Sequence, residues 1–230
     1  MKRDGRVKQD GGAAATRNIV LWDLPLRLVH WSLVVLLAGL WWTWRTGRIE
    51  LHEQLGYVTL GVLLFRIYWG LFGSATAHFA HFVRGPRAIA AYLRGRSPTT
   101  VGHNPFGALS VLLLLGLMAV EVALGLFAQD IDGIEAGPLA QYVSYDAADA
   151  ARGWHALLFD IILGVVALHV LAIVFYLVAK RDNLVGPMIT GRKSFRDDIE
   201  PPSMAPLSRA LIGTAIAAAL SWWVSRGLRL

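Results

Sequence analysis

Seven histidines and no cysteine define the chemistry open to this chain of 230 residues. Without thiols there is no disulfide framework, no thiolate-bound zinc, no iron–sulfur cluster and no thioether-attached haem. Metal chemistry therefore falls to the imidazoles and to the sixteen carboxylates. Four of the histidines, His30, His52, His155 and His169, lie within or at the ends of long apolar stretches. An ionisable side chain at membrane depth is expensive, which makes each of them a functional candidate. His155 and His169 are fourteen residues apart on one stretch; as a helix this puts them about 21 Å apart along the axis and within about 40° of the same face. The other three, His78, His81 and His103, fall in an arginine-rich segment between stretches. They are expected to be solvated or interfacial and receive no ligand role.

The elements that must position these side chains are membrane helices. The chain is 55% apolar and only 17% charged, whereas a soluble domain carries about 45–50% and about 25%. Four segments reach the roughly 20 residues a span requires: about Leu24 to Trp44, Glu53 to Phe72, Phe106 to Ala128 and Ala156 to Ala179. A fifth, Leu207 to Ser225, is rich in Ala and Gly in its first half; it is either interfacial or spanning, and is expected to span. The fold class is thus an all-α integral membrane protein, a four-helix transmembrane bundle with a fifth, C-terminal transmembrane helix. Residues 1–20 form a polar leader, 21–193 the transmembrane domain, 194–206 a linker and 207–230 the last helix. No cleavable signal peptide is expected, because the first eighteen residues are polar and no small-residue cleavage site follows the first apolar run. The Gly85-Pro86-Arg87 turn and Ala88 to Leu93 suggest a short helix lying along the membrane surface.

The net charge of +6 follows the positive-inside pattern and does not point to nucleic acid. Lys2, Arg3, Arg6, Lys8 and Arg17 precede the first span, Arg84, Arg87, Arg94 and Arg96 lie between the second and third, and Lys180, Arg181, Arg192, Lys193 and Arg196 follow the fourth. Between the third and fourth, Asp130, Asp132, Glu135, Asp146 and Asp149 face the single Arg152. The N-terminus is therefore expected in the cytoplasm. With that orientation, His30 and His169 share the cytoplasmic depth, and His52 and His155 the outer depth.

Zinc and non-haem iron sites usually need three or more converging ligands, whereas these histidines pair two by two. Two imidazoles fit the axial positions of a haem, and six-coordinate iron with no open position favours electron transfer over oxygen activation. Gly39, Gly56, Gly61, Gly125 and Gly164 either face a flat macrocycle or allow close helix packing. Anionic propionates call for cations: Arg27 and Arg66 on the cytoplasmic side, and Arg45, Arg48 and Arg152 outside. Arg66, inside Phe65-Arg66-Ile67-Tyr68-Trp69, is expected to hold a propionate or a carboxylate; for the others snorkelling is an equal alternative. Glu121 and Asp160 are either proton-handling acids or groups hydrogen-bonded within the bundle.

The run Trp22-Asp23-Leu24-Pro25-Leu26-Arg27-Leu28-Val29-His30-Trp31 resembles the start of the bacterial cytochrome b561 and nickel–iron hydrogenase b-type cytochrome family. So do Leu51-His52-Glu53-Gln54-Leu55-Gly56-Tyr57, Gly102-His103-Asn104-Pro105-Phe106-Gly107, Trp154-His155, Asn183-Leu184-Val185 and Met188-Ile189-Thr190-Gly191. The resemblance covers about Trp22 to Lys193. It implies four helices in the bacterial inner membrane holding two haem b groups, with His30, His52, His155 and His169 as ligands, and electron transfer between a redox partner and membrane quinone. The fifth helix lies outside that common core. The resemblance leaves open a hydrogenase-like or cytochrome c partner in the periplasm, or quinone-coupled superoxide oxidation by the chain alone. The acidic outer loop favours a basic protein partner. A metal or proton transporter using the intramembrane histidines and acids is the alternative from another class. For quinone, Asn104 and Gly107 beside the cytoplasmic haem are a candidate site; the competing reading makes Asn104 a helix cap with Pro105 at the first position.

Overall fold

The computed structural model describes residues 16–82, 85, 87, 90–91, 94, 102, 104–195 and 199–229. Its elements run β1 (Arg17–Val20), α1 (Leu24–Arg45), α2 (Ile49–Phe72), α3 (Phe79–Phe82), α4 (Pro105–Phe127), a 3-10 turn (Ala140–Tyr142), α5 (Tyr145–Val178), α6 (Val185–Thr190), β2 (Arg192–Phe195) and α7 (Leu207–Ser225). Among the described residues five helices, α1, α2, α4, α5 and α7, are long and apolar enough to cross a membrane. The leader before residue 16 and His103 lie outside the described residues, as does most of the expected surface helix over Ala88 to Leu93.

Local signals start the helices. Asp23 caps α1, its carboxylate accepting from the Leu26 amide at 2.8 Å, with Pro25 in the first turn. The second oxygen of Asp23 accepts from the Trp69 indole at 2.9 Å, so one buried carboxylate ties the start of α1 to the end of α2. α5 begins at Tyr145, well before the expected start at Ala156, and its 34 residues extend about 51 Å against an apolar core of about 30 Å. Ser144 caps it and Ala147, Ala148, Ala150 and Ala151 carry it on. The acids Asp146 and Asp149 suggest a loop, but alanine is the strongest helix former and wins.

The helices pack as two antiparallel pairs, α1 with α2 and α4 with α5. The pairs meet along α2 and α4, and α7 lies on the outside of α2. The bundle is closed at one end by a feature the hydrophobic pattern did not suggest. β1 and β2 pair antiparallel, with Arg17 opposite Phe195 and Val20 opposite Arg192. Beyond the ladder, the amides of Leu21 and Trp22 both donate to the Gly191 carbonyl, at 2.8 and 3.1 Å. Gly191 has φ of +80°, and a Cβ there would sit 2.7 Å from the Trp22 carbonyl oxygen, so both its backbone and its contact require glycine.

Part of the segment expected as a linker is held in place: Ala205 N–H donates to Ser74 Oγ at 2.9 Å and Ala75 N–H to the Ser203 carbonyl at 3.0 Å. From there α7 runs the length of α2. Arg209 donates to the Phe72 carbonyl at one end (3.3 Å), Ser221 to the Tyr57 carbonyl near the other (2.6 Å), and the Tyr142 hydroxyl to the Gly227 carbonyl beyond it (2.7 Å). Its 19 residues extend about 28 Å, close to one bilayer core.

Gly213 is the tightest point of this contact, since a Cβ there would meet the Tyr68 ring at 2.3 Å. Gly213→Leu should therefore push α7 off α2 and cost about 1–3 kcal/mol, read as a lower thermal midpoint in detergent. Ala215→Leu, on the exposed side of α7, should leave the midpoint unchanged.

Candidate functional site

The four intramembrane histidines divide as their depths suggest. His52 enters from the first turn of α2 and His155 from α5, with ring centroids 6.1 Å apart and planes at 89°. His52 Nδ1 lies 3.0 Å from the Leu40 carbonyl and 3.3 Å from Thr43 Oγ1. His155 Nδ1 lies 2.9 Å from the Glu121 carbonyl and 3.2 Å from Glu121 Oε1. A carbonyl can only accept, so both Nδ1 atoms carry the hydrogen, and each Nε2 is left with its lone pair for a metal. The ring separation accommodates one ion with metal–nitrogen bonds of about 2 Å.

His169 and His30 form the second group, near enough to interact electrostatically. His169 Nδ1 is 3.1 Å from Ser110 Oγ. His30 Nδ1 is buried without a hydrogen-bond partner, and its ring meets Trp31 edge-on at 5.1 Å. Ser110 and Glu121 are eleven residues apart on α4, about three full turns. One face of α4 therefore serves both histidines of α5.

A cavity of ≈ 550 Å³ surrounds the His52 and His155 pair, with Gly56, Glu121, Gly125 and Arg152 in its wall. The five glycines differ in their surroundings. A Cβ on Gly61 would meet Ser221 at 3.6 Å and one on Gly39 would meet Leu55 at 3.1 Å, so both sit in close helix contacts. Gly56 and Gly164 face open space, and a Cβ on Gly125 would come within 3.0 Å of His155 Cε1.

The arginines lie as follows. Arg66 is 3% exposed, its guanidinium 4.7 Å over the Phe79 ring and 3.5 Å from the Ala77 carbonyl, and its Nη2 has no partner. Arg27 donates to the Ile189 carbonyl while its Nε stays buried and unpaired. Arg45 and Arg48 stack on Trp44 and Trp42, and Arg152 pairs with Asp149 at 2.6 Å. Glu121 is a bundle-bonded group, through His155, while Asp160 is exposed on the cavity wall. Asn104 caps α4: its Oδ1 accepts from the Gly107 amide at 2.7 Å and its Nδ2 donates to the Tyr176 hydroxyl at 2.9 Å. The partners of the histidines, Thr43, Ser110 and the Leu40 carbonyl, went unrecognised in the sequence; the three-turn spacing of Ser110 and Glu121 was the one available signal.

Residues 21–191 match the family profile of prokaryotic cytochrome b561. The chain belongs to that family. Relatives named "Probable Ni/Fe-hydrogenase B-type cytochrome subunit" include one from Cupriavidus necator, 23% identical over 84% of this chain and 96% of the relative. Two more, from Azotobacter chroococcum and Azotobacter vinelandii, are 24% identical over 78% of this chain and 90% of the relative. No solved structure matches the chain. The protein is a multi-pass membrane cytochrome of b type, which binds haem b and transfers electrons. Its residues fit such a group: His52 and His155 with Nδ1 held by helix carbonyls, a cavity around them onto which Gly56 opens, and buried nitrogens of Arg27 and Arg66 without partners.

Asn104→Ala in this cytochrome should remove the α4 cap and the Tyr176 contact, lowering stability by about 1 kcal/mol. Thermal unfolding followed by circular dichroism would register the loss. Asn104→Asp, which keeps the capping oxygen, should recover most of it.

Proposed function

We propose that the cytochrome holds two haem b groups, one between His52 and His155 and one between His30 and His169, and carries electrons across the bacterial inner membrane. The electrons pass between a redox protein on the outer face and quinone on the cytoplasmic face. The observation that carries this reading is the facing pair His52 and His155, 6.1 Å apart with both Nδ1 atoms hydrogen-bonded. Haem, when bound, would supply a one-electron carrier. The chain does the rest. Leu40, Glu121 and Ser110 hold the rings in orientation, and the apolar faces of the helices exclude water.

Arg66 and Arg27, with buried unpaired nitrogens, are our candidates for anionic groups at the cytoplasmic end. The distribution of Lys and Arg supports a cytoplasmic N-terminus, and residues 21–193 are read as the haem-binding unit. The acidic outer loop supports a basic partner surface, and the relatives' hydrogenase names support a hydrogenase-like protein there. Superoxide oxidation has less support, because Arg152 is neutralised by Asp149 and the cavity wall carries Asp130 and Glu135. The polar pair Asn104 and Tyr176, about two turns from Ser110 and His169 on the same two helices, supports a quinone headgroup at the cytoplasmic end.

A reduced-minus-oxidised spectrum of the purified chain should show two b haems. His52→Ala and His155→Ala should each remove the same one, and His30→Ala and His169→Ala the other. Loss of the same haem from His52→Ala and His30→Ala would show the pairing to be wrong.

A further inference from the structure

We propose that Glu121 is a positioning residue that strengthens His155 as an electron donor to iron and so holds the outer haem at a lower reduction potential than the inner one. The inference rests on the reading that His155 and His169 are haem ligands, and it adds what separates the two sites.

The four imidazoles differ in what their Nδ1 atoms meet. His155 has a carbonyl at 2.9 Å and a carboxyl oxygen at 3.2 Å, both from Glu121. His52 has a carbonyl at 3.0 Å and a hydroxyl at 3.3 Å. His169 has one hydroxyl at 3.1 Å, and His30 Nδ1 has no partner. The outer site therefore holds every carbonyl and carboxyl acceptor of the set. An acceptor on Nδ1–H draws the proton outward and makes the ligating nitrogen more basic. A more basic ligand favours the oxidised iron, which carries one more positive charge than the reduced iron. Reduction adds one electron to the metal and moves no bond in the protein.

The surroundings of Glu121 concentrate this effect on His155. It is 9% exposed, where weak screening strengthens the electrostatic pull of its carboxyl oxygen on the Nδ1–H. Its other oxygen, Oε2, has no partner, so no donor competes with the His155 ring for the carboxyl group. Gly125, one turn along α4, leaves the space in which the His155 ring lies across the helix. The Glu121 carbonyl would keep the ring in place when the side chain is changed, which lets tuning be separated from binding.

The test is a redox titration of the full-length chain in detergent, following the absorption of each haem, on the wild type, Glu121→Leu, Glu121→Gln and His155→Ala. The haem lost in His155→Ala should be the lower-potential one. In Glu121→Leu the reduction equilibrium constant of that haem should rise about tenfold, about 59 mV for one electron, with the other haem unmoved. Glu121→Gln, which keeps an acceptor oxygen, should give a smaller rise. No shift, an equal shift of both haems, or loss of the higher-potential haem in His155→Ala would overturn the proposal. So would loss of the haem from both Glu121 variants, which would make the residue structural. If His155→Ala keeps both haems, the ligand assignment itself is wrong and the proposal falls with it, an outcome the spectrum alone distinguishes.

Discussion

The hydrogen bonds to histidine Nδ1 are the interactions on which the site depends. In a hydrocarbon environment a ring N–H has no water to turn to, and leaving it unpaired costs free energy. Two of the four rings meet this demand with a carbonyl on the neighbouring helix of their own pair, and a third, His169, lies against the Ser110 hydroxyl. Because the carbonyls of Leu40 and Glu121 also belong to the helices α1 and α4, each bond fixes helix register as well as ring orientation. A carbonyl has two lone pairs, so it can hold a ring without giving up its place in the helix ladder. Positioning the site and aligning the pairs α1–α2 and α4–α5 are therefore one task.

α2 sits at the centre of the resulting architecture. It contacts α1 on one side, α4 on another and α7 on a third, and its fully buried Trp69 and Thr59 lie among these contacts. α5, in contrast, packs mainly on α4 and exposes most of its length, as a helix facing lipid would. The arrangement leaves the two helix pairs joined along α2 and α4, with the histidines of α1, α2 and α5 turned between them.

Much of this was legible in the sequence because it depends on hydrophobic length and helical period, which are local. The spans of α1, α2 and α4 came within a few residues, and His155 and His169 fell on one face because fourteen residues make nearly four turns. The early start of α5 was missed because charge at 146 and 149 masked a run of alanines. The β1–β2 ladder and the Asp23–Trp69 bond are contacts between residues far apart in the chain and leave no periodic trace, and of the histidine partners only Ser110 and Glu121 leave one. Gly125 was noticed for its size alone; that its space is taken by the His155 ring depends on the rotation of α4 against α5.

The β1–β2 clasp has a consequence for how the protein is made. Its strands lie on either side of the α1, α2, α4 and α5 helices, so β1 is synthesised first and has no ladder partner until the chain has reached Phe195. Pairing also requires both strands on the same side of the membrane, which only an even number of crossings allows. A chain in which one helix failed to insert would leave β2 on the far side and the clasp open. The ladder thus works as a check on completed insertion, and α7, which follows it, joins a bundle whose first four crossings have already been counted.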